Sequence, residues 1–262
     1  MTTQIKIKCI LLAVIILIPT TSQADKLQIL TCEEPPMNYQ EEGQIEGFTT
    51  DIVREIMQRI KPEAVIKMQP WKRVYRTGLE NPNVVLFTAA RTKERENLFH
   101  WVGPVVEKRW ILFANKGSGF QLKSMEDVRK VRMIGVMRND ARHRLLINQG
   151  FDNIFVTEDH VQGLRMLLKG RVALWASSDF EAFIIANKLG FNTDRIEERF
   201  IIKTIQSYIL ISKNTPLTTV KKWQNAFGQL KKDGFLNSIA KKWAHKTGLP
   251  LSVKNGMLAI VK

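Results

Sequence analysis

Short β-type runs alternate with amphipathic stretches along nearly the whole chain, and no other feature narrows its possible folds as much. A strand, a helix of 3.6-residue period and a second strand make a crossover unit, so repeating that unit predicts an α/β protein with largely parallel sheets. Residues 27–31 read as the first strand, stopped by Pro35 and Pro36. A polar turn over 43–47 follows, then Thr49 as a helix N-cap and Ile52, Val53, Ile56, Met57 and Ile60 as one apolar helical face. Strands at 65–68 and 84–87 flank a helix at 71–79, and 88–95 reads as a polar loop.

Beyond Trp110 the alternation restarts, with strands at 111–114, 132–137 and 172–176. Ser124-x-x-Asp127 has the spacing of a capping box. Helices are expected at 139–148, 161–169 and 179–188, the last closed by Gly190. A strand at 208–212 and two helices, 216–232 and 235–245, complete the chain's regular structure.

The first residues carry Lys6 and Lys8, then an apolar run over 9–19, then Ser22, Gln23 and Ala24. That order is a secretory leader, with cleavage expected after Ala24. The apolar run of about eleven residues is too short, at about 1.5 Å per residue, to cross a hydrocarbon core of roughly 30 Å. Cys9 lies at the start of that run and so is not placed for lipidation. About 238 residues would remain, enough for one large domain or two lobes. Cys32 would be the only cysteine left, which excludes an intramolecular disulfide and suggests a small buried apolar residue.

The net charge is +15, and the leader's two lysines account for two of those charges, leaving +13. Residues 213–262 hold ten lysines, no arginine and one acid, Asp233. Export argues against nucleic acid as a partner. Lys221/Lys222, Lys231/Lys232 and Lys241/Lys242 alternate with apolar residues and read as solvated faces of amphipathic helices, with an anionic lipid surface or an acidic partner as the alternative. His100, His143, His160 and His245 show no metal-ligand spacing, and nucleophile-elbow and phosphate-loop motifs are absent, so no cofactor or metal is implied.

Several landmarks occur in a fixed order: Pro35-Pro36-Met37, then Gly47-Phe48-x-x-Asp51; Thr92 to Glu96, then Phe99 and Pro104; Ile134-Gly135-Val136; and Leu230 to Gly234 leading to Trp243. In that order and spacing the chain resembles the extracellular solute-binding proteins of family 3, which include periplasmic polar amino-acid receptors of ABC transporters. The resemblance implies a type II periplasmic-binding-protein fold, with two α/β lobes joined by two hinge strands and a ligand cleft between them. Residues 25–113 would begin lobe one, 114–208 form lobe two, 209–249 return to lobe one, and 250–262 be a C-terminal extension.

The resemblance also assigns ligand-binding positions. Arg95 matches the arginine that forks onto an amino acid's α-carboxylate, a task suited to a planar guanidinium. Trp71 matches an apolar position covering the ligand, and Thr88 one that contacts it beside the carboxylate. Asn139, Asp140 and Ala141 match a lobe-two turn whose backbone N–H groups complete the carboxylate site. Glu34 stands where an aromatic often stacks and Ala90 where Ser or Thr is common. The acid that holds the α-amino group aligns with Ser178, one residue before Asp179. Asp179 either reaches the cleft or caps its helix, and a free Glu34 would favour a cationic side chain.

These features point to a soluble, monomeric periplasmic receptor that captures a small polar ligand by hinge closure and delivers it to a membrane permease. Two alternatives share the fold: an enzyme similar to cyclohexadienyl dehydratase, using Glu34 or Asp179 as its acid, and a sensing module read by a membrane receptor.

Overall fold

The computed structural model describes residues 26–138 and 140–261, and the leader lies outside them. Lobe one opens with β1 (Gln28–Thr31), the hairpin β2 (Tyr39–Glu41) and β3 (Gln44–Glu46), then α1 (Phe48–Ile60), β4 (Ile66–Met68), α2 (Trp71–Glu80) and β5 (Val84–Ala90). The long strand β6 (Phe99–Asn115) leads into lobe two: α3 (Met125–Arg129), β7 (Ile134–Met137), α4 (Ala141–Asn148), β8 (Ile154–Thr157), α5 (His160–Leu168), β9 (Leu174–Ser178) and α6 (Glu181–Lys188). A second long strand, β10 (Ile196–Ser212), returns to lobe one, followed by α7 (Leu217–Lys232), α8 (Phe235–Thr247) and the hairpin β11 (Leu251–Lys254) and β12 (Met257–Ile260).

One sheet runs through both lobes in the order β4-β1-β5-β10-β6-β9-β7-β8. The crossing strands β6 and β10 pair antiparallel from Ile196 opposite Asn115 to Ser212 opposite Phe99. The pairs β1 with β4, β1 with β5, β7 with β8 and β7 with β9 are parallel, as crossover units require. Both faces of each half are covered. In lobe one Ile52, Val53 and Ile56 of α1 pack with Trp223, Phe227 and Trp243 on one side, and Val74 of α2 packs with Leu86 and Phe99 on the other. In lobe two Val128 and Leu146 cover one face and Leu164 and Ala182 the other. The architecture is the two-lobed type II arrangement. The lobes touch where Phe180, at the start of α6, packs against Phe48, with ring centroids 5.5 Å apart.

Four local expectations need correction. Gly47, not Thr49, is the N-cap of α1, and Thr49 is buried within the helix. The open N–H groups of Phe48, Thr49 and Thr50 donate to the carbonyls of Pro36 and Met37 instead of to a capping side chain. That close approach needs glycine: Gly47 has φ +130°, and a Cβ there would lie 2.2 Å from the Met37 carbonyl oxygen. The turn at 43–47 is part of the β2–β3 hairpin. The short strands expected at 111–114 and 208–212 are the apolar ends of 17-residue strands, whose length was hidden by Glu107-Lys108-Arg109 in β6 and by Glu197, Glu198, Arg199 and Lys203 in β10. Strand β8 and the β11–β12 hairpin went unread. Ser124 and Asp127 do form a reciprocal capping box.

Cys32 is buried, and burial pushes its thiol up to about 12, the state of an inert packing residue. The C-terminal lysines follow the solvated-face reading: α7 and α8 bury Val220, Trp223, Phe227, Leu230, Ile239 and Trp243, while Lys221, Lys222, Lys231, Lys232, Lys241 and Lys242 are exposed.

Candidate functional site

The C-terminal end of β5 carries the first part of the site. The β5–β10 register pairs Tyr208 with Ala89 and Ile209 with Phe87, so Thr88 is the extra residue of a β-bulge. Thr88 takes φ +67°, a conformation unfavourable for a β-branched side chain, and its hydroxyl donates to the Asn38 side-chain oxygen. Bulges re-aim side chains and recur beside functional sites. Just beyond, Ala90 offers its carbonyl to Nη1 of Arg95 at 3.2 Å. The guanidinium lies over the rings of Trp71, at 5.3 Å, and Tyr75, at 5.0 Å. Aromatic stacking and one carbonyl thus orient Arg95, which forms no salt bridge among the described residues.

Glu34 leads into a buried network of charges. Its backbone bridges to Asn38, and Asn38 in turn meets Thr88, which links Glu34 to the end of β5. The Glu34 carboxylate accepts a hydrogen bond from Nζ of Lys108, which stands buried on the crossing strand β6. Burial opposes the Lys108 charge, but the Glu34 and then the Glu181 carboxylates outweigh it and hold the ammonium's pKa above its ordinary value.

Glu181 opens α6 in lobe two, and its partner Arg142 is only 4% exposed. Nη1 of Arg142 donates to Glu181 at 2.6 Å, and Nε and Nη2 fork onto Asp140 at 2.7 and 2.8 Å. His160 Nε2 lies 3.1 Å from Nη2 of Arg142 and 3.6 Å from the Glu181 carboxylate. Burial pushes the imidazole below its ordinary pKa, so it is neutral in this cluster near neutral pH.

The remaining sequence-derived positions fall nearby in different roles. Asp140 is the N-cap of α4, its carboxylate accepting from the Arg142 N–H at 2.7 Å, and Ala141 is the helix's exposed first residue. Asn139 lies outside the described residues. Ser178 is buried, and its hydroxyl accepts from the Glu181 N–H at 3.2 Å. Asp179 is also buried, but α6 is capped at Phe180. Its carboxylate instead accepts from the backbone N–H and Nε of Arg109, each at 3.1 Å, and Arg109 forks onto Glu198. Glu34 is likewise not free.

Sequence reasoning did not single out Asn38, Lys108, Arg109, Arg142, His160 or Glu181 for the site. The clearest signal was Glu107-Lys108-Arg109 in an otherwise apolar strand, because charges inside a central strand need a buried partner or a cleft.

The family model for bacterial extracellular solute-binding proteins, family 3, matches residues 27–246. The chain belongs to this family. Its members are extracellular solute binders, and the two-lobed fold with charged groups at the lobe junction agrees with a solute-binding role. Among the described residues no helix is long and apolar enough to cross a membrane. The amino-acid-binding protein AabA of Dichelobacter nodosus is 22% identical over 223 residues, covering 79% of this chain and 83% of that protein. Among solved structures, a histidine kinase sensor domain with similarity to periplasmic binding proteins matches with a TM-score of 0.72 at 15% identity, covering 84% of this chain and 96% of that one. A mutant of ArgBP from T. maritima matches with a TM-score of 0.69 at 18% identity, covering 84% and 95%. At such identities the fold is what these structures share with the chain.

Proposed function

We propose that this family 3 protein is exported, loses its leader after Ala24, and captures an amino acid or close relative in the cleft for delivery to a membrane permease. The observation that carries the reading is Arg95: an oriented guanidinium, stacked on Trp71 and Tyr75, that forms no salt bridge among the described residues. A ligand carboxylate supplies that partner, with the Thr88 bulge beside it. The ligand's ammonium would meet lobe two, where Asp140 and Glu181 share the Arg142 guanidinium. Contacts with both lobes favour closure, because a ligand shifts the open and closed populations only by binding them differently. Capture without transformation is supported by Glu34 and Asp179, the acids available for dehydration chemistry, both being held in ion pairs.

A panel of amino acids tested by isothermal titration calorimetry and thermal shift should reveal a ligand. At one hundred times its Kd that ligand stabilises the native state by about 2.7 kcal/mol, which raises Tm by roughly 5–10 °C for a chain of this size. Arg95→Ala should weaken binding by at least about tenfold, since each hydrogen bond to a charged group contributes roughly 1.5–3 kcal/mol. Full affinity in that variant would remove Arg95 from the site.

A further inference from the structure

Lys108 is buried, its side chain only 9% exposed, and it stands on a strand shared by both lobes. An ammonium has three donors, and among the described residues one is used, on Glu34. Its position relative to the carboxylate site follows from the sheet register. Ala90, Ser207 and Val106 lie in one row across β5, β10 and β6, and Lys108 is two residues beyond Val106 on the same face of β6. Glu34 is joined to Thr88 through Asn38, so Glu34 and Lys108 adjoin the end of β5 that carries Thr88 and Ala90, whose carbonyl accepts from Arg95. From lobe two the Glu181 carboxylate strengthens the Lys108 charge, while Arg142 opposes it.

We propose that Lys108 sets the ligand class of this cleft, as the protein's own cation in the place a cationic side chain would take. Glu34, the acid that would receive a guanidinium or ammonium of the ligand, is already bound. The two remaining Lys108 donors face the ligand instead, where they suit an amide or a carboxylate. The cleft therefore takes an amino acid with a neutral or anionic hydrogen-bond-accepting side chain, and discriminates against arginine and lysine. This inference rests on the reading of the cleft as an amino-acid site.

The test is calorimetric titration of the leaderless protein with L-glutamine, L-glutamate, L-arginine and L-lysine. Wild type should bind glutamine or glutamate at least tenfold more tightly than arginine or lysine. Lys108→Met, which frees Glu34, should improve arginine relative to glutamine by at least tenfold. Should that variant fail to fold, Glu34→Gln/Lys108→Met leaves no unpaired charge; circular dichroism would show it folded, and its preference between glutamine and arginine should shrink by at least tenfold. A wild type that prefers arginine or lysine overturns the proposal, as does a folded double variant that keeps the wild-type ranking. Either of those results leaves the amino-acid reading standing. Failure of every probe to bind wild type and variants alike overturns both.

Discussion

Asp140 and Glu181, each largely shielded from water, persist as carboxylates because Arg142 serves them together. Taking an ion from water into a protein interior costs several kcal/mol, which a single arginine offsets only when its donors are well directed, as they are toward Asp140 and Glu181. Removing it leaves two largely shielded acids without their main partner, so Arg142→Met should cost about 3–5 kcal/mol in urea unfolding. The same geometry sets an acid limit. Burial resists ionisation of Glu181, but Arg142 more than compensates and holds the carboxyl well below its ordinary 4.5. Asp140 shifts in the same direction, again with Arg142 overcoming burial. Their folded pKa values lie below the unfolded ones, so the unfolded chain takes up protons first on acidification. Their stabilisation is complete above about pH 4.5 and is lost as pH falls below it. Urea unfolding across an acidic pH series should show a steep decline in wild type and a shallower one in Glu181→Gln.

Among the elements, α1 and α8 meet through two sequence landmarks from opposite ends of the chain. Trp243 is fully buried, and its indole N–H donates to Oδ2 of Asp51 at 2.8 Å, while Lys242 reaches the same oxygen at 2.8 Å. Asp51 is thus a docking acid for α8. Trp243→Phe keeps much of the apolar packing but removes a hydrogen bond to a charged group, so it should cost about 1.5–3 kcal/mol. Comparing that variant with wild type by chemical denaturation checks the figure, and an unchanged midpoint would reduce the Trp243–Asp51 contact to packing alone.

For the whole molecule, the segment 251–260 belongs to the fold. The β11–β12 hairpin buries Leu251, Met257 and Leu258, packs on α8, and meets β6 where Leu258 pairs with Val106. That contact lies two residues from Lys108, so the chain's end braces the strand that carries the site. Burying three such side chains contributes at least about 4 kcal/mol, and deleting residues 250–262 should lower Tm by about 8 °C or more in calorimetry. The α/β alternation, the Ser124–Asp127 capping box and the faces of α7 and α8 were legible in the sequence, because periodicity and local hydrogen bonds act over a few residues. Arg95 was singled out only through resemblance to a known motif. The charge pairing at the lobe junction was not legible: Glu34 meets Lys108 across 74 positions, and Asp179 meets Arg109 across 70. The order of residues determined which segments become strands and helices and which faces they bury. Only the tertiary structure decided which buried acid meets which base, because two long crossing strands set charges from distant segments side by side where water is excluded.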